Sequence, residues 1–189
     1  MKLRVASAAI AGVAVVVTLF GWSLLSADGN RAPPPLTGWM ENFVLAEERA
    51  QAPTAAFQDR DGKSYTLEGF GGKVVLVNFW ATWCGPCIRE MPSLKRLQAK
   101  LGGDGFTVLA LSQDRDGWAK IGPFLEKLDL VGLPTYHDPK ARFARAAKAR
   151  SLPTSVLYGP DGREIGRLTG HAEWDSTEAV ALLRHYLKD

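Results

Sequence analysis

Cys84 and Cys87 are the only cysteines in the chain, two residues apart in the run Phe79-Trp80-Ala81-Thr82-Trp83-Cys84-Gly85-Pro86-Cys87. Thiols at this spacing on the first turn of a helix can reach one another and pass between dithiol and disulfide, so the chemistry indicated is electron transfer. The preceding apolar run, Val74-Val75-Leu76-Val77, reads as a strand, and Gly85-Pro86 as the opening of a helix. The orphan N–H groups and positive dipole end of that helix would face the first sulfur. Cys84 is therefore expected to be the low-pKa nucleophile. Cys87, one turn further in, is expected to be less exposed and to resolve the mixed disulfide.

Three other uses of the cysteines fit less well. A structural zinc site needs about four ligands, and beyond these thiols the chain offers only the scattered His137, His171 and His185. A purely structural disulfide this short would staple no distant parts of the chain. A peroxidatic cysteine would follow Pro and Thr at fixed places that Val77 and Ala81 occupy here.

The segment from Trp80 to Cys87, followed by Glu90-Met91-Pro92, resembles the active site of thioredoxin-fold proteins, in particular the membrane-anchored TlpA/ResA-like thiol-disulfide oxidoreductases. The resemblance runs from about Phe57 to the C-terminus and is far more specific than a lone C-x-x-C. It implies an α/β fold with a central mixed sheet flanked by helices, a central insert, and a cis-proline facing the disulfide. Ser151-Leu152-Pro153-Thr154, before the apolar run Ser155-Val156-Leu157-Tyr158, fits that proline. The Leu152 backbone would then be free to pair with an extended partner segment. Trp83, Gly85, Pro86, Leu152, Pro153 and Thr154 are the expected substrate-binding residues, with Cys84, Cys87 and Glu90 catalytic. No metal and no cofactor beyond the redox-active pair is expected.

One departure bears on mechanism. Thioredoxins keep a buried aspartate on the strand before the active site, and this chain has Asn78 there, which accepts no proton at neutral pH. Glu90 follows Cys87 by three residues and shares its helix face, and the matching glutamate in ResA-like proteins is regarded as an acid/base. The alternative is a solvated surface carboxylate. Trp80 is expected under the site as core, Trp83 on the docking surface, and Pro92 as a bend in the helix.

The remaining elements follow from pattern. About seventy residues separate the cysteines from Pro153, longer than one crossover requires, so an insert is expected with a helix over 118–128 and a strand near Thr135-Tyr136. Within that helix Pro123 marks a kink or a late start. Asp61-Gly62 and Asp161-Gly162 mark hairpin turns, 138–148 an amphipathic helix, and 174–187 a final helix.

From Val5 to Ala27 no residue is charged, and Lys2 and Arg4 precede the run. A helix of that length reaches about 30 Å, enough to cross a membrane with the N-terminus inside. A cleaved signal peptide is the second reading, against which Leu25-Ser26-Ala27 makes a poor cleavage site. No cysteine lies near enough for a lipid anchor. The expected organisation is an anchor over 1–27, an extended tether over 28–50 containing Pro33-Pro34-Pro35, and a thioredoxin-like domain over 51–189.

These readings lead to a single-pass protein of the bacterial inner membrane with its catalytic domain in the periplasm. It would reduce disulfides of periplasmic proteins and be recharged by a transmembrane thiol donor. The resemblance places its targets in cytochrome c or copper-centre (cytochrome oxidase) assembly. A net charge of +3 is too mild to indicate nucleic acid. The alternatives are a Sco-like copper chaperone, whose cysteines are spaced more widely, and a disulfide oxidant or isomerase.

Overall fold

A computed structural model of the protein describes residues 32–187. The apolar run before the cysteines becomes strand β4, Val74–Trp80, buried along its whole length. A strand without a polar face needs cover on both sides. It lies inside a mixed sheet that, among the described residues, has eight strands in the order β1 (Phe43–Leu45), β8 (Glu164–Thr169), β7 (Thr154–Tyr158), β4, β5 (Phe106–Ser112), β6 (Thr135–His137), β2 (Phe57–Gln58), β3 (Ser64–Tyr65). The β4–β5 and β5–β6 pairs are parallel and the others antiparallel. Parallel neighbours need crossovers, supplied by α1 (Gly85–Leu101) and α2 (Trp118–Lys127), while α3 (Arg142–Ala146) precedes β7 and α4 (Thr177–Tyr186) follows β8.

Side-chain alternation along the strands divides the core between two faces. Leu76 and Trp80 of β4 with Val108 and Ala110 of β5 meet Met91, Leu94 and Leu97 of α1, Ile121 of α2 and Leu183 of α4. Val75, Val77, Phe79, Leu109 and Leu111 face the other way, onto Phe57 and Phe143. The same alternation turns Asn78 toward α1.

Several expectations are met closely. The two Asp-Gly turns join β2 to β3 and β7 to β8, and the insert carries α2 and β6. Three differ. Pro123 lies within α2, which already starts at Trp118, so it does not mark a late start. The helix expected over 138–148 is broken, with left-handed backbone at Lys140 and Ala141, because the buried Asp138 carboxylate accepts the N–H groups of Phe143 and Ala144 and starts α3 there. Trp174 is a fully buried core residue ahead of α4, whose N-cap is Ser176 accepting from the Ala179 N–H.

The anchor expected over 1–27, and the first part of the tether, lie outside the described residues. Among those described, no helix is long and apolar enough to cross a membrane. Within the stretch 28–50 expected as an extended tether, Gly38–Met40 forms a 3-10 turn and β1 adds an edge strand to β8, with Met40 and Phe43 buried. Only a glycine permits that approach, since a Cβ on Gly166 would come within 2.6 Å of the Phe43 ring and 2.5 Å of the Val44 carbonyl. Phe43→Ala should therefore cost about 3 kcal/mol in urea unfolding, against near-zero cost if this stretch were only a tether.

Candidate active site

Cys84 occupies the N-cap of α1, and the Cys87 N–H points at its sulfur with N···Sγ 3.3 Å. The two sulfurs are bonded at 2.04 Å, with Cα atoms 5.3 Å apart. Cys87 is fully buried and Cys84 nearly so, in the order expected of a resolver and a nucleophile. Around them Trp83 is 70% exposed, and Gly85 and Pro86 are also open to solvent. A ring that exposed beside a redox centre offers a docking surface.

The Leu152–Pro153 peptide is cis. Thr154 pairs with Phe79 in the β7–β4 register, so Pro153 and Leu152 continue beside the end of β4, where the chain turns toward Cys84. The Pro153 carbonyl accepts from the Gly170 N–H at 2.9 Å. Leu152 makes no backbone hydrogen bond within the described residues, leaving both its polar groups for an incoming strand. Thr154 is placed differently from a partner-binding residue: it is buried, and its hydroxyl donates to the Ser151 carbonyl at 2.8 Å.

Glu90 is fully buried, so the solvated-surface reading does not hold. Asn78 Nδ2 donates to its Oε1 at 2.7 Å and to Ser155 Oγ at 2.9 Å, and the Ala172 N–H donates to Oε2 at 3.1 Å. Burial pushes the carboxyl up to about 7, and the Asn78 and Ala172 hydrogen bonds oppose that rise without cancelling it. The Trp174 indole adds a weaker favourable interaction, although its N–H makes no well-formed hydrogen bond. Ser93 Oγ accepts from the Trp174 backbone N–H at 3.0 Å and pins the same loop to α1. A carboxyl poised near neutrality one helical turn from a buried thiol has the properties of a proton acceptor for it.

The comparisons with known proteins agree with this geometry. A family model described as Redoxin matches residues 47–183. This chain belongs to the redoxin family, among its ResA/TlpA-like thiol-disulfide oxidoreductases. It is 34% identical over 141 residues to a thiol-disulfide oxidoreductase ResA of Bacillus cereus, covering 75% of this chain and 80% of that one. To the ResA of Bacillus thuringiensis subsp. konkukian it is 34% identical over 142 residues, 73% and 81% of the two chains. Its fold matches a solved thiol:disulfide interchange protein DsbE from Chlorobium tepidum with TM-score 0.67 and 28% identity, over 75% of this chain and 98% of that one.

Among the described residues no group of three or more His, Cys, Asp and Glu side chains converges as metal ligands would. Residues not singled out from sequence complete the site. Ser155 stands as the one polar side chain facing Asn78 from β7, and Asp114 lies just past the C-terminal end of β5. The carboxyl ends of parallel strands are where open α/β sheets place their sites, which is the signal that would have found Asp114.

The folded protein holds the Glu90 proton up to about pH 7, against 4.5 for an unperturbed carboxyl. Its contribution to stability is thus complete below pH 4.5 and is lost as the pH rises through 7. The full span corresponds to about 3 kcal/mol. Glu90→Gln should flatten that part of the stability-versus-pH curve relative to the unmodified protein, measured by denaturant unfolding between pH 4 and 8.

Proposed function

We propose that this protein reduces disulfides of periplasmic partner proteins, tethered to the inner membrane through residues 1–27. The observation that carries the reading is the Cys84–Cys87 pair at the start of α1, with exposed Trp83 on one side and the unpaired Leu152 backbone beside it. In the dithiol form the Cys84 thiolate attacks a partner disulfide, forming a mixed disulfide and releasing one partner thiolate. Cys87 gives its proton to the Glu90 carboxylate and attacks Cys84 Sγ, which releases the second partner thiolate and closes the Cys84–Cys87 bond. A transmembrane dithiol donor then reduces the Cys84–Cys87 bond by two electrons and is itself oxidised to a disulfide; Glu90 returns its proton to Cys87, and the two protons the donor releases balance the two partner thiolates.

The charge-free run Val5–Ala27 behind Lys2 and Arg4 supports the tether and the periplasmic side. The Gly85-Pro86 dipeptide, shared with reducing members of the superfamily, supports electron donation over oxidation. The likeness to ResA/TlpA-like proteins supports partners among the proteins of cytochrome c or copper-centre (cytochrome oxidase) assembly as the ones this reading names.

Cys84→Ala should abolish turnover, whereas Cys87→Ala should accumulate partners as mixed disulfides visible on non-reducing gels. The reduction potential should lie nearer thioredoxin's value of about −270 mV than the value of about −120 mV for DsbA. A strongly oxidising value would overturn the reductant assignment.

A further inference from the structure

Thr82 stands two residues before Cys84 in the turn that leaves β4, and it is bound to a residue far away in sequence. Asp114 Oδ1 accepts from the Thr82 hydroxyl at 2.7 Å, and Asp114 Oδ2 accepts from the Thr82 N–H at 3.0 Å. Oδ2 also accepts from Ser112 Oγ at 2.8 Å. Asp114 is only 4% exposed. A carboxylate in that setting costs free energy unless its oxygens are satisfied, and here three uncharged donors satisfy them. An asparagine in its place has one acceptor oxygen and could not hold both groups of Thr82 on separate oxygens.

The backbone around Asp114 is tied on the other side. His137 Nε2 donates to the Asp114 carbonyl at 2.9 Å, and its ring packs close over Gly117, where a Cβ would come within 3.0 Å of it. Next to it the Gln113 N–H donates to the Trp80 carbonyl at 2.8 Å. Asp114 is thus a fixed point from which two hydrogen bonds reach across to the turn 81–84. On the far side of that turn the Cys84 N–H donates to the Ala81 carbonyl at 3.1 Å, and Cys84 Sγ takes the Cys87 N–H.

We infer that Asp114 is a positioning residue: by clamping Thr82 it holds the active-site turn so that Cys84 Sγ stays over the N-terminus of α1. Capping the end of β5 would require only the Ser112 bonds. The two bonds to Thr82 serve the turn. This inference rests on the reading of Cys84 as the attacking thiol, yet its test does not depend on any partner being reduced.

The test uses substitutions that leave the charge of Asp114 in place. In Thr82→Val the hydroxyl is lost, the turn loosens, and the thiolate spends less time on the helix N-terminus. The pH midpoint of Cys84 alkylation by iodoacetamide, measured in the reduced protein carrying Cys87→Ala, should rise by at least about 0.5 unit. Thr82→Ser should restore it. Arg89 and Glu90 are the other ionisable groups at this end of α1: the Arg89 guanidinium reaches to within 4.0 Å of where a Cβ on Gly85 would lie, the hydrogen bonds of Glu90 involve neither Thr82 nor Asp114, and both groups are common to all variants. A lowered melting temperature in Thr82→Val with an unmoved alkylation midpoint would mark the clamp as a plain stability contact and overturn the inference, as would a midpoint that rises equally in Thr82→Ser. If the midpoint moves as expected while no partner disulfide is reduced by the unmodified protein, the clamp stands and the proposed reaction fails.

Discussion

The burial of Glu90 against Asn78 is the constraint on which the rest of the site depends. An ionised carboxylate inside a hydrophobic core is costly, and its burial is tolerated here because Asn78 and the Ala172 N–H each give it a hydrogen bond. Those donors come from different elements: β4, at the centre of the sheet, and the loop after β8. The carboxyl therefore joins α1, the central strand and the C-terminal loop, and it lies one helical turn from Cys87. Ser155 extends the network into β7, the strand that begins at the cis-proline.

The redox centre is thus supported from two directions by buried polar groups with different tasks. On the Cys87 side the carboxyl of Glu90 titrates near neutrality, because desolvation outweighs its hydrogen bonds. On the Cys84 side the Asp114 carboxylate carries three hydrogen bonds and serves as a fixed anchor for the turn. The nucleophile gains from a rigid turn and a helix N-terminus, the resolver from a nearby base. Both cysteines belong to the same apolar core as Trp80, Met91 and Leu94, and the Cys87 side chain is fully buried in it.

Much of this was legible because local signals and tertiary role coincide. A fully apolar run before a C-x-x-C, a Gly-Pro helix start and two Asp-Gly turns each impose their own geometry, and β4, α1 and the hairpins appear where those signals lie. Periodicity misread 138–148, because a single buried aspartate competed with the helix for its N–H groups. The burial of Glu90 was undecided for a related reason. Its spacing from Cys87 fixes the helix face, but only the pairing of β4 with β7 and the return of the 170–174 loop determine what covers that face. Asp114 was missed because its partner, Thr82, lies 32 residues away and no periodic pattern connects them.

The most direct test of this account is the protonation state of Glu90 in the oxidised protein. Infrared difference spectra recorded between pH 3 and 9, with Glu90→Gln as the reference, isolate the carbonyl stretch of its neutral carboxyl. The account predicts a protonated-carboxyl band that disappears with a midpoint near pH 7 and is absent from the Gln variant. A midpoint near the unperturbed 4.5 would contradict it, because a carboxylate already ionised and satisfied there has no reason to take the proton of Cys87.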